Sequence, residues 1–149
     1  MLAFSFKLDR RRAAALSVAV IAVVAAALAT LPGWRKNAVP GSTDSERRAF
    51  VENLGYSLSS DAAETDTVLI PETFSDVYTE YNKLQTEAGF DLSGYRGRSV
   101  ERYSYRVSDY TEEQAVWANL LVFNGTIIGG DVSSRRLDGF ALPLIAKNG

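Results

Sequence analysis

The chain has 149 residues, with 16 Lys and Arg against 18 Asp and Glu, a formal net charge of −2, and neither His nor Cys. The two missing residue types exclude a Ser-His-Asp or Cys-His relay, an imidazole-bound zinc or iron site, every disulfide and a lipidated-cysteine anchor. Four of the basic residues but only one acidic residue precede Trp34, so the rest of the chain is acidic, which argues against nucleic acid as a partner.

The first twelve residues are basic, with Lys7, Arg10, Arg11 and Arg12, and they lead into the uncharged run Ala13 to Leu31. That run is long enough for a transmembrane helix, and the basic residues before it hold the N-terminus in the cytoplasm. Two readings fit. An uncleaved signal anchor makes a single-pass cell-membrane protein with its C-terminal domain outside. A cleaved signal, leaving after Ala27-Leu28-Ala29, makes a secreted one. The length of the run and Trp34, Arg35 and Lys36 behind it favour the anchor, so the bilayer is the first expected partner. Residues 32–42, with two Pro and two Gly, read as a linker, and residues 43–149 as one extracytoplasmic domain.

Within that domain Thr43-Asp44-Ser45-Glu46 has capping-box spacing, and Phe50, Val51 and Leu54 recur at helical intervals until Gly55. Thr67 to Ile70 reads as a short strand ended by Pro71. Thr73 is the expected cap of a second helix whose apolar stripe is Phe74, Val77, Tyr78, Tyr81, Leu84 and Ala88, closed by Gly89. Asp91 to Arg98 reads as a loop. Ser99 to Val107 alternates, with Tyr103, Tyr105 and Val107 on one face and Arg102, Ser104 and Arg106 on a wetter one.

Ala115 to Phe123 and Thr126 to Val132 form a hairpin about Asn124-Gly125, a strong type I′ signal. A regular ladder from that turn places Phe123 opposite Thr126, Leu121 opposite Ile128, Asn119 opposite Gly130 and a buried Trp117 opposite Val132. Gly129-Gly130 inside the strand suggests a bulge or a close approach by the second helix. Leu137 to Ile145 is apolar but broken by Gly139 and Pro143, and lies over the core or pairs weakly. The predicted fold is therefore α+β: an N-terminal transmembrane helix, then a small domain with two helices on one face of an antiparallel sheet of about four strands.

Several strings carry a resemblance: Tyr81-Asn82-Lys83-Leu84-Gln85, Gly89 to Tyr95, Arg102 to Tyr105, Ala118 to Val122 and Ile128 to Val132. Over roughly Arg48 to Phe140 the chain resembles number 4830 in the domain-of-unknown-function series. The resemblance implies a small bacterial protein with one N-terminal hydrophobic segment. It implies no activity, ligand or catalytic residues.

The residues themselves supply candidates. Tyr95, Arg96, Arg98, Arg102, Tyr103 and Arg106 make a basic and aromatic strip suited to an envelope protein or an anionic cell-wall ligand. Within the strip, Tyr95, Arg98, Arg102 and Arg106 are the ligand-binding candidates, and Asp131 beside the glycine pair is the other. The carboxylates Asp91, Glu101, Asp131 and Asp138 lie near expected loop ends, but their spacing pairs no two of them, so no catalytic residue is assigned. No metal site and no cofactor is expected. The function that fits is a membrane-anchored, non-enzymatic binding or envelope-sensing module. The alternatives are a carboxylate-dependent cell-wall glycan hydrolase, and a structural partner that packs its Ala-rich span against another membrane protein.

Overall fold

The computed structural model describes residues 38–111 and 114–147 of the chain. The expected helix Ala13–Leu31, the basic N-terminus and most of the expected linker lie outside the described residues. Among the described residues no helix is long and apolar enough to cross a membrane.

The domain is α+β, with two helices on an antiparallel sheet of six strands rather than about four. In chain order the elements are β1 (Val39–Pro40), α1 (Asp44–Asn53), β2 (Glu64–Leu69), α2 (Asp76–Glu87), a 3-10 turn (Leu92–Tyr95), β3 (Ser99–Arg106), β4 (Val116–Phe123), β5 (Thr126–Ser134) and β6 (Ala141–Pro143). The sheet order is β1-β5-β4-β3-β2, and β6 also pairs with β5. The two additional strands, β1 and β6, have only two and three residues and each contains a proline, so neither carries an alternation that a sequence pattern could register. The first of them puts the start of the sheet at Val39, inside the stretch read as linker, where Val39 pairs with Ile127.

Helix α1 begins as its capping box dictates: Glu46 N–H donates to the Thr43 hydroxyl and Thr43 N–H donates to the Glu46 carboxylate. Its exit runs through Gly55 at φ 90°. Helix α2 is capped by Ser75 and not by Thr73; the Ser75 hydroxyl accepts from Tyr78 N–H, three residues on, and Asp76 then sits in the first turn beside the helix's positive end. The predicted stripe needs one correction. Phe74, Tyr78 and Tyr81 pack inward, but Val77 is 80% exposed, and Gln85 is the fully buried residue of α2.

Adjacent residues of a strand point to opposite faces, and the core divides accordingly. Tyr105, Ala118, Leu120 and Val132 pack with Val51 of α1, whereas Val100, Leu121 and Ile128 pack with Leu92 and, from α2, Tyr78 and Tyr81. The helices therefore cover opposite faces of the sheet, where one shared face was expected. Helix α2 sits by the β5 edge. Between the segments of β5 that pair with β1 and β6, Gly130 N–H donates to Gln85 Oε1 at 2.7 Å, so a side chain satisfies the edge where no strand does. Just after α2, Phe90 reaches Phe50 of α1, with ring centroids 6.3 Å apart.

Asn124 and Gly125 both have positive φ, as a type I′ turn requires, and Phe123 pairs with Thr126. The ladder then slips. Val122 pairs with Ile127 but Leu121 pairs with Gly129, so Ile128 is an extra residue, and Asn119 faces Asp131 rather than Gly130 while Trp117 faces Ser133 rather than Val132. Helix α2 also makes the close approach that the glycines suggested, since a Cβ at Gly129 would lie 2.7 Å from Gln85 Oε1.

Candidate functional site

The α2-covered face of the sheet is apolar near the 3-10 turn and polar further along. On β3 this face carries Val100, then Arg102, Ser104 and Arg106; on β4 it carries Leu121, then Asn119 and Trp117. The bulge adds Asp131 and Ser133 of β5 to it, because directly paired residues share a face. Where the cover of α2 ends, a cleft of about 370 Å³ opens, lined by Val68, Tyr78, Tyr81, Arg102, Asn119, Leu121, Asp131, Ser133 and Ala141.

Its floor is a hydrogen-bonded chain across three strands. Ser104 Oγ donates to Asn119 Oδ1 at 2.7 Å, and Asn119 Nδ2 donates to Asp131 Oδ1 at 2.8 Å and to Ser133 Oγ at 2.9 Å. Asn119 thus gives both amide protons and receives one, which fixes the orientation of its side chain. Tyr81 Oη, coming down from α2, donates to Asp131 Oδ2 at 2.9 Å. Burial, with the Asp131 carboxylate beside it, holds the Tyr81 phenol well above the usual tyrosine range. The Asp131 side chain is almost enclosed, and the residue is 6% exposed.

Arg102 stands at the rim in a bidentate pair with Asp66 of β2, 2.9 Å from Nε to Oδ1 and 2.5 Å from Nη2 to Oδ2. The Asp66 hydrogen bonds raise the guanidinium's already high pKa further, so this cation is permanently charged. Tyr78 Oη is buried at the cleft wall with no hydrogen-bond partner among the described residues. Beyond the cleft the Arg135 guanidinium, just past the end of β5, lies 3.8 Å from the Trp117 ring centroid and pairs with Glu64 of β2 at 2.8 Å.

Of the sequence candidates, the structure brings Arg102 and Asp131 to one cleft and disperses the others. Tyr95 packs on Phe123 with ring centroids 5.6 Å apart. Arg98 is exposed before β3, with its backbone carbonyl accepting from Ile70 N–H. Arg106 lies 5.8 Å from the Trp117 ring, at the far end of the same face. Two other members of the strip have structural work: Arg96 stacks on Phe74, and Tyr103, on the opposite face, lies under the Arg47 guanidinium at 3.6 Å.

The four carboxylates considered for hydrolysis do not converge. Asp91 caps the 3-10 turn through Ser93 N–H, Glu101 accepts from Tyr103 Oη, Asp138 pairs with Arg136, and Asp131 is held by Asn119 and Tyr81. Among the described residues no three acidic side chains gather as a metal site would need.

Sequence reasoning missed Asn119, Ser133, Tyr78 and Tyr81 as site residues. The tyrosines belong to an apolar stripe whose rings pack while their hydroxyls do polar work. Asn119 did carry a signal, as the lone amide in the apolar strand Val116–Phe123, where a buried polar side chain requires partners.

No curated protein and no solved structure matches the chain. The family model described as "Domain of unknown function (DUF4830)" matches residues 50–132, which run from within α1 to within β5 and contain every residue of the cleft except Ser133 and Ala141. That match covers more than half of the chain, and the protein belongs to this family.

Proposed function

We propose that the chain is a membrane-anchored binding module, non-enzymatic, whose site is the cleft between α2 and the polar half of the sheet. In this reading Ala13–Leu31 is a transmembrane signal anchor with its basic end in the cytoplasm, and the domain stands outside the cell membrane, where it captures a small polar component of the envelope or senses it. The observation that supports binding is the split between committed and uncommitted groups. Ser104, Asn119 and Asp131 hold one another in place, while Tyr78 Oη, the Ser133 hydroxyl proton and Arg102 Nη1 have no hydrogen-bond partner among the described residues. A rigid polar floor beneath unspent donors is what a recognition site needs. The dispersal of the arginine strip takes support from an anionic partner held by that strip and moves the reading to the cleft.

Two measurements test the proposal. A C-terminal reporter on the full chain should be active outside the membrane and remain in the membrane fraction; release of a product beginning near Thr30 would establish a cleaved signal instead. For binding, small-molecule fractions of an envelope extract are added to the full chain in non-ionic detergent. A fraction that raises the melting temperature of the wild type but not of Ser133→Trp, which fills the cleft, supports the site. Failure of every fraction to stabilise the wild type would overturn it.

A further inference from the structure

We infer that the cleft selects ligands carrying a protonated amine. This rests on the cleft being the binding site, and it follows from the charge at its floor. Asp131 is a carboxylate at 6% exposure whose two hydrogen-bond donors, Tyr81 Oη and Asn119 Nδ2, are both neutral. A buried carboxylate is ordinarily matched by a cation. The nearby guanidinium of Arg102 gives Nε and Nη2 to Asp66 and only its charge reaches Asp131, so one positive charge is shared between two carboxylates. The group of Arg102, Asp66 and Asp131 therefore carries one negative charge more than positive, at the enclosed end of a cleft walled by tyrosine rings.

Each candidate ligand class meets that charge differently. An anion attracted by Arg102 faces two carboxylates for one guanidinium. A neutral polyol hydrogen-bonds the floor but leaves the excess negative charge of that group in place. A primary ammonium supplies the missing charge, and its three N–H donors match acceptors: Asp131 keeps lone pairs beyond the two bonds it accepts, and the buried Tyr78 oxygen has no partner among the described residues. The rings of Tyr78 and Tyr81, 5.7 Å apart and edge to face, add the aromatic wall that favours an organic cation over a neutral group of the same size. Arg102 Nη1 at the rim then suits an oxygen acceptor elsewhere on the same ligand, as on an amino sugar or an amino acid.

Three probes that share one ring and differ in one group separate these classes: glucosamine, glucose and glucuronate, added to the full chain in non-ionic detergent while the side-chain amide signal of Asn119 is followed by NMR. Glucosamine, at a pH where its amine is protonated, should shift that signal at concentrations at least about tenfold below glucose, the factor expected of one charge-assisted hydrogen bond. Glucuronate should be weakest. Asp131→Asn should erase the preference for glucosamine over glucose; if that variant does not fold, Tyr78→Phe, which keeps the carboxylate, should weaken glucosamine about three- to tenfold and leave glucose nearly unchanged. Equal response to glucose and glucosamine, or a preference for glucuronate, would overturn the amine inference while leaving the cleft as a binding site. No response of Asn119 to any of the three would count against the cleft itself.

Discussion

Asn119 and Asp131 meet across the sheet, Nδ2 to Oδ1 at 2.8 Å, in a register one residue away from the one their hairpin turn sets. An unbroken ladder from Asn124-Gly125 would put Gly130 opposite Asn119 and turn the Asp131 carboxylate into the apolar face that holds Leu120 and Leu144. The extra residue Ile128 prevents this. Its own side chain joins Leu92, Val100 and Leu121 in the core beneath α2, so the bulge both aligns the polar floor and fills the apolar end of the same face.

Those two roles separate in a deletion. Removing Ile128 leaves a regular ladder in which Leu121 still faces Gly129 and Asn119 still faces Asp131, but it takes a buried aliphatic side chain out of the core. The expected loss is about 2–5 kcal/mol in urea unfolding, as for a large-to-small core change, with the Asn119 side-chain amide signal unmoved. A displaced amide signal would mean that the bulge geometry, and not the pairing alone, holds the floor.

Gly129→Ala tests the approach of α2 to the β5 edge. The added methyl would lie 2.7 Å from Gln85 Oε1 and 3.1 Å from Leu92 Cδ2. Gln85 is the flexible partner and must move, which strips Gly130 N–H of its acceptor in a buried setting. The loss should be about 1–3 kcal/mol, and Gln85→Leu, which removes the acceptor directly, should fall in the same range. If Gly129→Ala is neutral while Gln85→Leu is not, the side chain has room to yield without releasing Gly130.

How far the sequence exposes this architecture follows the length scale of each signal. The capping box of α1, the Gly89 exit of α2, the alternation in β3 and the Asn-Gly turn are local, and each appears where the residues put it. Gly129-Gly130 marks the stretch of β5 where a bulge or a close approach falls, but which residue is extra depends on what packs above it, and Gln85 and Leu92 arrive from outside the strand. The same reason hid the site. Arg102 and Asp131 were legible as charges, but their neighbours are Tyr81, Asn119 and Ser133, drawn from α2, β4 and β5 and joined only by register. Strands β1 and β6 were too short to show a pattern. Placing both helices on one face failed because Tyr105 and Val100 belong to opposite sides of a strand buried on each.

The Tyr81 hydroxyl ties α2 to Asp131, so Tyr81→Phe should cost about 1.5–3 kcal/mol at neutral pH, the range for a hydrogen bond to a charged group. The alkaline limb carries a sign. Burial, then the Asp131 charge, raise the phenol above the ordinary value of 10.0, so its contribution is fully present below pH 10.0 and is lost as pH rises toward the folded value. The phenylalanine variant has no such proton to lose. The stability gap between wild type and variant, measured by urea unfolding, should therefore be largest at neutral pH and shrink above pH 10.0. A gap constant across that range would mean that Tyr81 ionises alike in the folded and unfolded chains.

Trp117 reads from its strand as a core residue opposite Val132, a position whose truncation to alanine costs about 3–5 kcal/mol. In the bulged register it faces Ser133 instead, on the polar half of the sheet, half-buried under the Arg135 guanidinium at 3.8 Å. What Trp117→Ala removes is then part of an aromatic surface, the close cation–π contact with Arg135 and the longer one with Arg106 at 5.8 Å, about 1–2 kcal/mol in urea unfolding. The same change frees Arg135, whose bridge to Glu64 is about half exposed and adds little to folding by itself. Arg135→Ala in the Trp117→Ala background should therefore cost less than it does in the wild type, because the ring it covers is already gone. A loss above about 3 kcal/mol for Trp117→Ala alone would match full burial, and would return the tryptophan to the register that the turn implies.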